Sequence, residues 1–137
     1  MGNKQEHLKT LVSATDLPVN ADYESGFARD LESLAENVRL AVDAGVAGLS
    51  IEDIRADSQS GLYDTATSVA RIRAARAAID QTGEDVVLVA RTEILLSDPS
   101  RLSEAIDRLV AFAGAGADCV PGRLTVTRMQ TFAQAWW

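Results

Sequence analysis

Residues 41–51 read AVDAGVAGLSI: the last turn of an apolar-striped segment, a glycine, and then a run without charge. Leu31, Leu34, Val38 and the pair Ala41–Val42 recur at three- and four-residue spacing, which predicts a helix over 31–44. Gly45 follows at the position where a helix end turns left-handed. Val46 to Ile51 then fits a short strand buried on both faces. The same shape returns at residues 110–120, VAFAGAGADCV, again helix, Ala-Gly and strand.

Working outward, the alternation extends along the chain. Upstream, Leu8 to Ala14 reads as the end of a helix stopped before Pro18, and Leu17 to Ala21 as an apolar run ending at Asp22. Downstream, Tyr63 to Asp80 carries the stripe Val69, Ile72, Ala75, Ile79 and is closed by Gly83. Val86 to Ala90, VVLVA, is the clearest strand. Leu102 to Phe112 predicts a third helix with Leu102, Ile106, Leu109 and Val110 facing inward, terminated by Gly114 and Gly116. Ala117 to Val120 makes a fourth short strand, and a further helix begins at Thr125. Asp30 or Ser33 caps the first strong helix, and Asp64 or Thr65 the second.

Glu52 follows Asp22 by 30 residues and Arg91 follows Glu52 by 39, the length of one βα unit or a little more. An alternating chain of this kind builds either a doubly wound sheet or a (β/α)8 barrel. Three strands in succession end in polar pairs: Asp22 and Glu24, Glu52 and Asp53, Arg91 and Glu93. A barrel gathers all such ends around one mouth, whereas an open sheet focuses a ligand at one switch point. The barrel is therefore favoured. A complete one takes roughly 250 residues; this chain has 137, so it reads as a single domain, 1–137, forming a barrel segment of about four parallel strands. No linker divides it, and residues 121–137 form an atypical tail.

A net charge of -7 argues against binding nucleic acid or anionic membranes, which needs clustered Lys and Arg. Arg71, Arg73 and Arg76, the densest basic group, read as the wet face of a helix. Cys119 is alone, which excludes an intrachain disulfide, and it reads as a core residue of its strand. With a polar start lacking a signal-like apolar segment, a reducing cytoplasm is expected. No apolar run reaches the roughly 20 residues of a membrane helix. His7 reads as solvated, and Trp136 and Trp137 as surface-packed or marking an end.

Carboxylates aimed into a shared mouth repel one another unless a cation lies between them. An all-oxygen set suits Mg²⁺, and no His/Cys cluster suits zinc. Arg91 would face them as the fixed positive group, able to grip a carboxylate or an oxyanion. A metal and an arginine around a small cleft suit a 2-oxo acid or its enolate. The plainer alternative is that acids after strands cap helices or solvate loops, and Asp53 in particular reads as a loop residue.

The segments LPVNADYESGFA, AGVAGLSIED, RIRAARAAI, VLVARTE and AGADCV, in this order, resemble the isocitrate lyase/phosphoenolpyruvate mutase superfamily. The likeness runs from about Leu8 to Val120 and is nearest its mutase-like, carboxyphosphonoenolpyruvate phosphonomutase-like branch. It implies a (β/α)8 barrel and a lyase or mutase that works next to a pyruvate-like unit through an Mg²⁺-stabilised enolate. On that resemblance Asp22, Glu24 and Glu52 belong to the metal shell. Arg91 is the catalytic and substrate-contacting arginine, and Glu93 joins it in the substrate site. Oligomers are also common in the family.

The sequence departs from the family pattern in three places. No counterpart of the family's first two strands is read before Met1, and PGRLTVTRMQTFAQAWW drifts from the pattern after Val120. The loop Ile54–Gly61, IRADSQSG, lacks the Lys, Cys, His and Asn that family members carry there. The alternative expectation is thus a catalytically incomplete fragment without turnover. A four-strand segment also leaves two open edges, which predicts self-association or closure as a compact sheet.

Overall fold

The computed structural model describes residues 2–55 and 61–121. Helix α1 (Gly2–Ser13) leads to strand β1 (Asn20–Asp22), helix α2 (Leu31–Asp43) and strand β2 (Gly48–Glu52). Helix α3 (Thr65–Thr82), strand β3 (Val87–Arg91), the one-turn helix α4 (Ile94–Ser97) and helix α5 (Leu102–Gly114) follow. The three strands form one parallel sheet in the order β1-β2-β3. This is the alternating βα architecture that the spacing predicted.

Local chemistry sets the helix boundaries. Asp30 caps α2 by accepting from the Ser33 amide at 2.8 Å and its hydroxyl at 2.9 Å. Asp64 does the same for α3, accepting from the Thr67 amide at 2.7 Å and its hydroxyl at 2.9 Å. Each cap satisfies an amide that the first helical turn leaves without a partner. Gly83 closes α3 at φ 75°, and Gly45 follows α2 at φ 92°, both in the left-handed region.

The core lies between the sheet and the α2–α3 layer. Leu34, Val38, Ala41 and Val42 of α2 meet Leu49 and Ile51 of β2, Leu88 and Ala90 of β3, and Ile72, Ala75 and Ile79 of α3. Strand β2 is buried along its first four residues, as its uncharged run required.

Several expectations change. Ala117–Val120 lies in the fourth strand position beside β3, but its pairing is reduced to a single parallel bridge between Val89 and Cys119. Cys119 is exposed, not a core residue: its backbone pairs with β3, and no described element covers its side chain. On α5 the inward residues are Ala105, Arg108 and Phe112, while Leu102, Ile106 and Val110 face solvent. Of the stripe read as facing inward, Leu109 does pack against the core, and the other three members lie on the wrong side. Arg71 is also not on a wet face; it is 2% exposed on the inner side of α3. The helix expected from Thr125, both tryptophans, nearly all of the tail and residues 56–60 of the loop after β2 lie outside the described residues.

Candidate active site at the strand ends

Parallel register decides which side chains share a face. Asp22 pairs with Ser50, and Glu52 with Arg91. Since alternate residues of a strand point to the same side, Asp22, Ser50, Glu52 and Arg91 form one row across three strands. The Arg91 guanidinium lies in the middle of it. One terminal nitrogen is 3.4 Å from Asp22 Oδ2, and the other is 3.5 Å from Glu52 Oε2 and 2.7 Å from Glu93 Oε1. Arg91 Nε also donates to Glu93 Oε1 at 3.2 Å, so Glu93 fixes the plane of the guanidinium. The Ser50 hydroxyl donates to Asp22 Oδ1 at 3.3 Å.

Glu24 joins the row through its backbone. Its amide lies 3.4 Å from Asp22 Oδ1, and its carbonyl accepts from the Glu52 amide at 2.8 Å. Its φ of 50° is unusual for a residue with a side chain, and Phe27 shares it at 52°. Between β1 and α2 the chain is held by its carbonyls. Those of Ser25 and Ala28 accept from Arg71 Nη2 at 2.5 and 2.6 Å, and that of Arg29 from Nη1 at 3.2 Å. Those of Gly26 and Phe27 accept from Asn37 Nδ2 at 2.9 and 3.3 Å. With the Glu24 carbonyl, six consecutive acceptors are occupied by three partners.

Three carboxylates, Asp22, Glu52 and Glu93, surround one guanidinium, and Glu52 carries the imbalance. Burial and then the charge of Glu93 push its pKa up to about 7; Arg91 opposes the rise, and Asp22 and Glu24 add to it. The Arg91 pKa also rises, which here favours the charged form. Burial works against its charge, but the Glu93 hydrogen bond and the charges of Glu93, Asp22 and Glu52 together raise its pKa.

All the residues expected at the site are therefore neighbours. Asp22, Glu52, Arg91 and Glu93 touch in a chain, and Glu24 adjoins them. Among the described residues, no three of these side chains already converge as ligands on one point. The guanidinium sits among the carboxylates instead. The donor chemistry still fits Mg²⁺: oxygen only, anionic, partly open to water and in excess over the Arg91 guanidinium among them. A cavity of about 340 Å³ borders Glu24 and Glu52, with Arg29, Ile54 and Arg55 on its wall.

Asp53 corrects the loop assignment. It is 2% exposed and accepts from Thr92 Oγ1 at 2.6 Å, the Glu93 amide at 2.9 Å and Arg108 at 3.2 Å. Arg108 also donates to the Tyr63 carbonyl at 2.9 Å. Asp53 thereby fixes the backbone that presents Glu93, and through Glu93 the orientation of Arg91. Sequence reasoning missed Arg71 and Arg108. The available signal was placement, since each sits at the helical spacing of inward residues: Ser68, Arg71, Ala75 on α3 and Ala105, Arg108, Phe112 on α5.

Comparison with known proteins places these features. The family model described as phosphoenolpyruvate phosphomutase matches residues 1–136. An isocitrate lyase of Haloferax volcanii is 34% identical over 119 residues, covering 84% of this chain and 34% of the relative. A 2-methylisocitrate lyase of Escherichia coli is 31% identical over 134 residues, covering 93% of this chain and 45% of the relative. The solved structure of a phosphonopyruvate hydrolase in complex with oxalate and Mg²⁺ superposes with a TM-score of 0.83 at 26% identity. It matches 99% of this chain and 48% of its own. The chain thus spans less than half the length of these relatives, and its parallel βα units are a segment of their barrel fold.

Proposed function

We propose, starting from the fact that the chain belongs to the phosphoenolpyruvate phosphomutase family, that it carries the enolate-stabilising half of an Mg²⁺-dependent lyase or mutase-like site. The relatives named above are lyases and a hydrolase, and this chain would act on a small 2-oxo acid such as oxaloacetate or a phosphonopyruvate. The observation that carries the reading is the register pair Glu52–Arg91, an acid and a base on adjacent strand ends with Asp22 in reach of the same guanidinium.

In this reading Asp22, Glu24 and Glu52 would hold the cation. When bound, Mg²⁺ would supply positive charge to the keto and carboxylate oxygens of the substrate as electron density builds there. The chain's own residues do the rest. Arg91 turns its terminal N–H groups from Asp22 and Glu52 to a substrate carboxylate or enolate oxygen. Glu93, held through its amide by Asp53, keeps the guanidinium in plane. Glu52, whose pKa is raised to about 7, would release its proton to water and hold the cation as a carboxylate.

The test is Mg²⁺-dependent pyruvate release from a panel of 2-oxo acids, with Glu52→Ala and Arg91→Ala as controls. Release that both substitutions abolish supports the reading; no release, or release indifferent to them, removes it. The second reading is a fragment that keeps the binding half without turnover. It is favoured by the guanidinium standing among the carboxylates where a cation would lie. Titration with Mg²⁺ and oxalate separates the two, since binding without pyruvate release marks the fragment.

Self-association belongs to the same proposal. Among the described residues the sheet ends at β1 and α5 shows apolar residues to solvent, so two copies would complete each other's cover. No helix of the described residues is long and apolar enough to cross a membrane. A reducing, cytoplasmic setting is proposed because Cys119 is exposed and single.

A further inference from the structure

The loop between β1 and α2 is built in an unusual way. Its carbonyls from Glu24 to Arg29 are all accepting, and three of the six bonds come from one side chain, Arg71 of α3. Arg71 is itself immobilised: it is buried, and its guanidinium lies 4.6 Å from the Tyr63 ring centroid. A planar five-donor fork can hold several carbonyls at fixed angles; an ammonium group, a point charge on a flexible stem, cannot. Glu24, Gly26 and Phe27 all adopt positive φ within this loop, a conformation that persists in non-glycine residues only when the surroundings enforce it.

We propose that Arg71 is a positioning residue for the strand-end site: by holding the carbonyls of Ser25, Ala28 and Arg29 it sets the backbone that presents Glu24 beside Glu52. Arg71 does not touch the carboxylates. Its influence reaches them through the loop, and the Glu24 carbonyl passes it on to the Glu52 amide at 2.8 Å. This inference rests on the proposed cation site for its function, but its geometry does not depend on any ion.

The experiment uses the full chain as Arg71→Lys, with Ile79→Val as a control that loosens α3 far from the loop. Two quantities are read: the Kd for Mn²⁺, and the exchange rate of the Glu52 amide relative to that of the Leu88 amide in the metal-free protein, a ratio that a general loss of stability leaves in place. Arg71→Lys is expected to weaken Mn²⁺ binding at least tenfold and to raise that ratio at least tenfold, with Ile79→Val leaving both unchanged. A merely structural role would lower the melting temperature of both variants and spare both readouts, which overturns the proposal. If the parent chain binds no Mn²⁺, the cation reading fails, and the amide decides alone. A raised ratio in Arg71→Lys keeps the positioning role, and an unchanged ratio removes it. Should Arg71→Lys not fold, Tyr63→Leu replaces it; that change removes the ring beside the guanidinium, and the same outcomes apply with about threefold effects.

Discussion

Arg108 of α5 reaches Asp53 at the end of β2 over 3.2 Å, and neither side chain is more than 5% exposed. The pair joins the last described helix to the site's backbone, because the other Asp53 oxygen accepts from the Glu93 amide. Removing one member of a buried pair strands the other, at a cost of about 3–5 kcal/mol. Asp53→Ala is therefore expected to lower unfolding free energy by that amount in urea titrations. Pairing Asp53→Leu with Arg108→Met should recover part of the loss, because no lone charge then stays buried.

Glu52 makes a prediction about pH. Its pKa in the folded protein, about 7, stands above its ordinary 4.5. Between those values the folded protein binds more protons than the unfolded chain, so stability falls as pH rises. The contribution is complete below about 4.5 and is lost by about 7. With solvent screening of a half-open site, it amounts to about 1–2 kcal/mol. Glu52→Gln should remove this slope between pH 4.5 and 7 in chemical denaturation, while the rest of the pH profile stays as in the parent.

Arg91→Ala separates substrate binding from cation binding. Losing a charge-assisted bond to an anion costs about 1.5–3 kcal/mol, so oxalate affinity in the presence of Mg²⁺ should fall roughly tenfold or more. Mg²⁺ alone should bind at least as well as in the parent, because the competing positive charge within 3.5 Å of Asp22 and Glu52 has gone. Calorimetric titration with each ligand reads both.

How much of this was legible in the sequence follows from the range of each interaction. The α2–β2 join was readable because its signals are local: spacing of Leu34, Val38 and Ala41, and a glycine at the turn. Asp22, Glu52 and Arg91 were readable because they recur at the ends of successive apolar runs. Asp53, Arg71 and Arg108 were misread or passed over because their partners are distant along the chain. Asp53 and Arg108 are 55 residues apart, and Arg71 and Ser25 are 46 apart. A charge at an inward helical position looks like an interruption of the stripe until its long-range acceptor is known. The α5 stripe failed in part for the converse reason: Leu109 packs inward as read, but Arg108 found its partner and Ile106 and Val110 face outward.

Gly26 should resist substitution. Its φ is 75°, and a Cβ there would come within 2.0 Å of Leu34 Cδ1 in the core. Gly26→Ala combines an unfavourable backbone with overpacking, so a loss of about 2 kcal/mol or more is expected in thermal or urea unfolding.

The outward stripe of α5 offers the opposite case. Ile106 and Val110 are 52% and 68% exposed, so Ile106→Lys with Val110→Glu should change the stability of the isolated chain by no more than about 0.5 kcal/mol. If copies associate through this face, the same double change should lower the mass seen by sedimentation at high concentration.

The six captured carbonyls between Glu24 and Arg29 separate two kinds of information in one short segment. Its path is written in α2, α3 and β2, by Asn37, Arg71 and the Glu52 amide. Its exposed side chains at Glu24 and Arg29 take no part in those six bonds. A loop specified by its neighbours can change what it offers a ligand through single substitutions, keeping its shape while its chemistry diversifies.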